Sequence, residues 1–71
     1  MSSKGLKRFA VFGEVDHPHE GYYSFGANSY LKDFDQREAA TVYANSWVDY
    51  PEEKRNAHVW DTYEMKIIYY V

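Results

Sequence analysis

The sequence predicts a small α+β domain of order ββαββ, an antiparallel sheet with one helix packed on one face. Residues 8–15 and 65–71 alternate apolar side chains with the period of a strand. Residues 35–48 carry the single stretch with helical period. At 71 residues, the chain has room for one domain, residues 1–71, and one core.

The first strand spans 8–15. Phe9, Val11 and Val15 fall on one side, and Ala10 and Phe12 on the other. Asp16-His17-Pro18-His19-Glu20-Gly21 then breaks the pattern. Pro18 cannot donate to a ladder and Gly21 permits positive φ, so a hairpin connection is expected. A second strand begins near Tyr22-Tyr23-Ser24-Phe25, is interrupted at Gly26 and Asn28, and resumes at Ser29-Tyr30-Leu31-Lys32. One long bent strand and two short ones both satisfy this pattern.

The helix opens on Asp35-Gln36-Arg37-Glu38, which has the form of a capping box with Asp35 at the cap. Phe34 and Ala39 stand where a hydrophobic staple would. The spacing places Ala39, Val42, Tyr43, Ser46 and Trp47 on the inward stripe, with Arg37, Thr41 and Asn45 opposite. Pro51 ends the segment, because the residue before a proline avoids the helical region. Residues 51–56 read as a polar connection. A closing hairpin follows, from 57–61 through a turn at Thr62-Tyr63-Glu64 to 65–71.

One helix covers one face of such a sheet. The alternation directs Phe9, Val11, Val15, Met65, Ile67, Tyr69 and Val71 to it, and Tyr43 and Trp47 meet them from the helix. Phe12, Trp60, Ile68, Tyr70 and one of Tyr22 and Tyr23 point the other way. A half-exposed antiparallel sheet normally shows polar residues there. This one shows rings instead. Eight Tyr, four Phe and two Trp make 20% of the residues aromatic. A domain this small buries only about 60% of the surface its unfolded chain exposes, so some rings must meet solvent or a partner. Tyr and Trp suit an interface, since each buries a large ring and keeps a polar handle. Phe12, Tyr22, Trp60, Ile68 and Tyr70 are therefore the expected partner-binding residues.

Composition narrows the function classes. There is no cysteine, which removes disulfides and thiolate metal sites and fits a reducing cytoplasm. No apolar run approaches the roughly 20 residues that span a bilayer, and the first residues lack the apolar core of a signal peptide. The net charge of −3 counts against a nucleic-acid binder, whose affinity comes largely from neutralising phosphates. A base-stacking platform of Phe12, Tyr22, Trp60 and Tyr70, flanked by Lys7, Arg8 and Lys66, is the alternative in that class. Carboxylates mimicking phosphates are also conceivable, but Asp35 and Glu38 are accounted for by the helix start. His17 and His19 stand in a His-x-His pair between carboxylates; without a third anchored ligand this reads as a solvated turn, and no metal is expected. His58 reads as a half-buried strand histidine. No nucleophile constellation or phosphate loop appears, so neither an enzyme nor a cofactor is expected.

Residues 32–40, with Phe34-Asp35-Gln36-Arg37-Glu38-Ala39 at their centre, resemble the aromatic-Asp-x-x-Glu-Ala helix start of many small phage-encoded proteins. His58-Val59-Trp60-Asp61 followed by Ile67-Ile68-Tyr69 resembles the closing hairpin of the same loose group. The resemblance implies a compact phage or mobile-element protein that binds and blocks a host enzyme or defence complex in the host cytoplasm. It assigns no site residue. The expected function is thus a non-enzymatic protein-binding module acting by steric occlusion, with a homodimer as the structural alternative.

Overall fold

The computed structural model describes residues 6–16 and 29–71. Within them the order is β1 (Phe9–Asp16), β2 (Ser29–Phe34), α1 (Arg37–Val48), β3 (Lys54–Asp61) and β4 (Lys66–Tyr70). The strands form one four-stranded sheet in the order β2-β1-β3-β4, with every neighbouring pair antiparallel. The ββαββ architecture with one helix on one face is therefore as the sequence predicts. Because β2 and β3 both run against β1, they are parallel to each other. The helix between them is a crossover that passes over β1. The first half of the expected second strand, with Tyr22, Tyr23 and Phe25, lies outside the described residues, as do His17 and His19. No helix among the described residues is long and apolar enough to cross a membrane.

The core lies where the two central strands meet the helix. Val11 pairs with Val59, and both side chains are fully buried with Phe9 and Ala57 beside them. Ala40 and Ala44, one helical turn apart, are the buried residues of α1. Their small side chains let the helix backbone approach the sheet, and Tyr43, Trp47 and Val48 close its flanks. Phe34 packs its ring on Tyr43 with centroids 5.4 Å apart. Opposite Trp47 stands Gly13, which leaves room for that ring.

Four local expectations are corrected. The inward stripe of α1 is displaced by one residue, to Ala40, Tyr43, Ala44, Trp47 and Val48. Tyr43 and Trp47 belong to both versions, whereas Ala39 and Ser46 are exposed and Val42 is 60% exposed. Asp35 does not cap the helix. β2 keeps the chain extended through Phe34, which pairs with Phe9, so the cap falls on Gln36 without a side-chain hydrogen bond. The first helical bond runs from the Ala40 amide to the Gln36 carbonyl at 3.2 Å. The polar connection ends at Glu53: Lys54, Arg55 and Asn56 already pair with Asp16, Val15 and Glu14.

The fourth correction concerns β4. Val59 pairs with Tyr69 and Trp60 with Ile67, so Ile68 is an extra residue in a β-bulge. Strict alternation fails at that point. Tyr69, Val71 and Ile68 pack against the core, while Ile67 and Met65 are exposed. Ile68 therefore lies on the helix side, and Ile67 takes the place expected for it. A second bulge at Leu31, between the Val11–Lys32 and Phe12–Tyr30 pairs, sends Leu31 into the core. The turn from β3 to β4 is tied by Asp61, whose carboxylate accepts from the Tyr63 and Glu64 amides at 2.9 and 3.2 Å. Met65 completes the turn at φ 60.

Candidate functional site on the open sheet face

Register decides which side chains share the face away from the helix. Phe12 pairs with Tyr30 on β2 and with His58 on β3, and His58 pairs with Tyr70 on β4. Directly opposed residues of antiparallel strands project to the same side. One row of four rings thus crosses the whole sheet. Tyr30 meets Phe12 edge to face, with centroids 6.0 Å apart. Phe12 and His58 stack at 5.4 Å and 13°, and His58 and Tyr70 at 6.1 Å and 1°. A parallel row, Ala10–Trp60–Ile67, lies beside it.

Phe12, Glu14, His58, Trp60, Ile67 and Tyr70 line a shallow depression of about 420 Å³. Two of its members are open to solvent, Ile67 at 49% and Tyr70 at 58% exposed, as is Tyr30 at the far end of the ring row, at 48%. Its floor is not, since His58 is only 9% exposed. Burial pushes the His58 imidazole below the usual histidine range, and the Glu14 carboxylate opposes that shift without cancelling it. The ring is accordingly neutral at neutral pH. At the β2 end the Tyr30 hydroxyl donates to the Asp33 carboxylate, which also accepts from the Lys7 amide at 2.6 Å. These two donors hold the Asp33 carboxyl below the usual carboxylate range, and the hydrogen bond to Asp33 holds the Tyr30 phenol above its own.

Of the residues expected to bind a partner, Phe12, Trp60 and Tyr70 come together in this depression. Ile68 is turned to the core by its bulge, and Tyr22 lies outside the described residues. The sequence reading missed Tyr30, Ile67, Glu14 and His58. For Tyr30 a signal existed: it begins the resumed strand, but the bulge at Leu31 hides its phase. Nothing in the sequence announces the bulge that brings Ile67 out.

Two of the basic residues expected to flank this face, Arg8 and Lys66, have carboxylate partners. Arg8 forms a two-pronged ion pair with the buried Asp61, both bonds at 3.0 Å. That guanidinium holds the Asp61 carboxyl down at about 2. Lys66 lies 3.7 Å from Glu64. Among the described residues, no group of three His, Cys, Asp or Glu side chains could hold a metal.

Among the described residues, fold and face together define a small helix-backed sheet whose other side is lined by rings. No protein-family model, curated protein or solved structure matches the chain.

Proposed function

We propose that this chain is a non-enzymatic protein-binding module. It acts as an inhibitor, of the kind that occludes a host enzyme or defence complex, through the open sheet face. The observation that carries the reading is the ring row crossing all four strands on the side without the helix. Rings at that position cost solubility and add nothing to the helix-side core, which a binding role accounts for. The depression is broad and shallow, a shape suited to a protein surface more than to enclosing a small substrate.

Base stacking is the weaker reading. Phe12, His58 and Tyr70 turn their ring faces on one another, which leaves few faces for nucleobases. Arg8 and Lys66 already have carboxylate partners.

Affinity capture from host lysate, with and without nuclease, tests the reading against a variant combining Trp60→Ala and Tyr70→Ala. The expected result is a captured protein that survives nuclease and is lost with the variant, while the variant keeps its far-UV spectrum. Capture that disappears on nuclease treatment would favour nucleic acid. Self-association with no catch, read by sedimentation, would favour a structural homo-oligomer. Equal capture by the variant would move the interface off this face.

A further inference from the structure

β4 has the sequence of a central strand and the position of an edge strand. After Lys66 the chain reads Ile67-Ile68-Tyr69-Tyr70-Val71, apolar at every position. Such a run belongs to strands buried on both faces. Yet among the described residues β4 pairs only with β3, and none of its five residues is buried. β3, which has a strand on each side, buries Ala57, His58, Val59 and Asp61. The opposite edge carries charge: β2 has Lys32 and Asp33 among its six residues, a common guard against edge pairing. β4 has one charge, Lys66, at its first position.

The hydrogen-bond pattern identifies the groups this edge offers. Ala57 and Val71 exchange both backbone bonds, at 3.2 and 2.8 Å, and the Met65 amide donates to the Asp61 carbonyl at 2.7 Å. Alternation along β3 therefore turns Ala57, Val59 and Asp61 toward β4, and His58 and Trp60 toward β1. Tyr70 stands opposite His58, and Ile67 opposite Trp60. The N–H and C=O groups of Tyr70 and Ile67 consequently point away from β3, to the open edge. Both side chains line the depression on the open face, whereas Ile68 and Tyr69 pack on the helix side.

β4 is thereby its own complement. Laid antiparallel on a second β4, it can set Tyr70 opposite the partner's Ile67 and Ile68 opposite the partner's Tyr69. Each opposed pair then shares one side of the sheet. The outward backbone groups of Tyr70 meet those of the partner's Ile67, and the two-fold axis supplies the reverse pair. Both strands carry the bulge at Ile68, so the spacing between the two bonded pairs is equal on either side. Antiparallel alignment also holds the two Lys66 side chains at opposite ends of the ladder, where parallel alignment would set like charges side by side. A strand from another protein would need apolar residues on both sides at this same register; the chain itself supplies that strand.

We propose that the chain forms a two-fold dimer through β4, joining two four-stranded sheets into a continuous one with both helices on the same side. This goes beyond the protein-binding reading and leaves the ring row open. The depression lies at the β4 end of the sheet, so the dimer brings the partner's Ile67 and Tyr70 to its rim.

A five-residue edge is smaller than a standard protein interface, so dimerisation is expected between about 10 and 500 µM. Analytical ultracentrifugation across that range reads the mass, and amide exchange of the ¹⁵N-labelled chain reads the surface. The Tyr70 and Ile67 amides should exchange at least about tenfold more slowly at the top of the range than at the bottom. The Tyr69 and Val71 amides, turned toward β3, should be protected at both. Ile67→Lys places a charge at the seam, and Tyr70→Pro removes an amide that β3 does not use. Both variants should stay monomeric throughout the range and keep the parent's far-UV spectrum. A parent chain that is monomeric throughout would overturn the proposal. So would a dimer whose Tyr70 and Ile67 amides exchange at the monomer's rate. Association and capture fail separately: a strictly monomeric chain that still captures a protein removes the dimer alone, and a dimer that captures nothing removes the binding reading alone.

Discussion

At Gly13 one hydrogen atom sets how closely the helix meets the sheet. A Cβ at this position would lie 2.7 Å from two ring carbons of Trp47 and 2.9 Å from the Leu31 Cδ1. Trp47 has little freedom to yield, since Arg55 stacks on its ring and also donates to its carbonyl at 2.8 Å. Gly13→Ala is therefore expected to destabilise the fold by about 1–3 kcal/mol, the usual cost of overpacking a filled core. Urea denaturation would show it as a lower midpoint at unchanged slope. An unchanged midpoint would mean that the indole swings clear. Only part of this is legible in the chain. A glycine inside a strand pattern signals a bulge or a close approach, and only the structure identifies Trp47 as the group that comes close.

Elements were legible wherever the pattern is regular. The face of β1 reads correctly because Phe9 and Val11 alternate without interruption. The helix stripe reads one residue out because Val42 draws an apolar pattern toward itself, while Ala40 and Ala44 are too small to mark the true centre. β4 inverts at Ile67 because the bulge consumes Ile68, and a bulge leaves no composition signal in a run such as Ile67-Ile68-Tyr69-Tyr70. That slip puts Ile67 in place of Ile68 on the face away from the helix. The same packing gives a contrast between the two tryptophans. Trp47 fastens α1 to β1, so Trp47→Ala is expected to cost about 3–5 kcal/mol, enough to unfold most of a population this small in stability. Trp60 faces the open depression, so Trp60→Ala should leave a cooperative thermal transition near that of the parent. A Trp60→Ala chain that melts as low as Trp47→Ala would place the Trp60 indole in the core.

Across the whole molecule, ionisable groups of opposite character set the range of pH over which the fold is most stable. His58 has its pKa depressed by burial among Phe12 on β1, Tyr70 on β4 and its own strand, with the Glu14 carboxylate opposing that shift. Below about pH 6.5 an unfolded chain protonates this histidine while the folded state resists, so stability declines as pH falls through that region. Asp61, held at about 2 by Arg8 and the turn amides, and Asp33, lowered by Tyr30 and Lys7, act further down. They stay ionised in the fold after the unfolded chain has taken up protons near pH 4, which produces a second decline toward pH 2. Tyr30 closes the window from above. Its raised phenol pKa contributes stability that is present below about pH 10 and lost as pH rises through the folded value. Urea midpoints should accordingly be highest between about pH 7 and 9. His58→Phe keeps the stacked row and removes the titration, so it should flatten the decline between pH 7 and 5 while leaving the one below pH 4 intact. If His58→Phe follows the parent throughout, then the near-neutral dependence belongs to other groups and the imidazole at the floor of the depression is not what senses the proton.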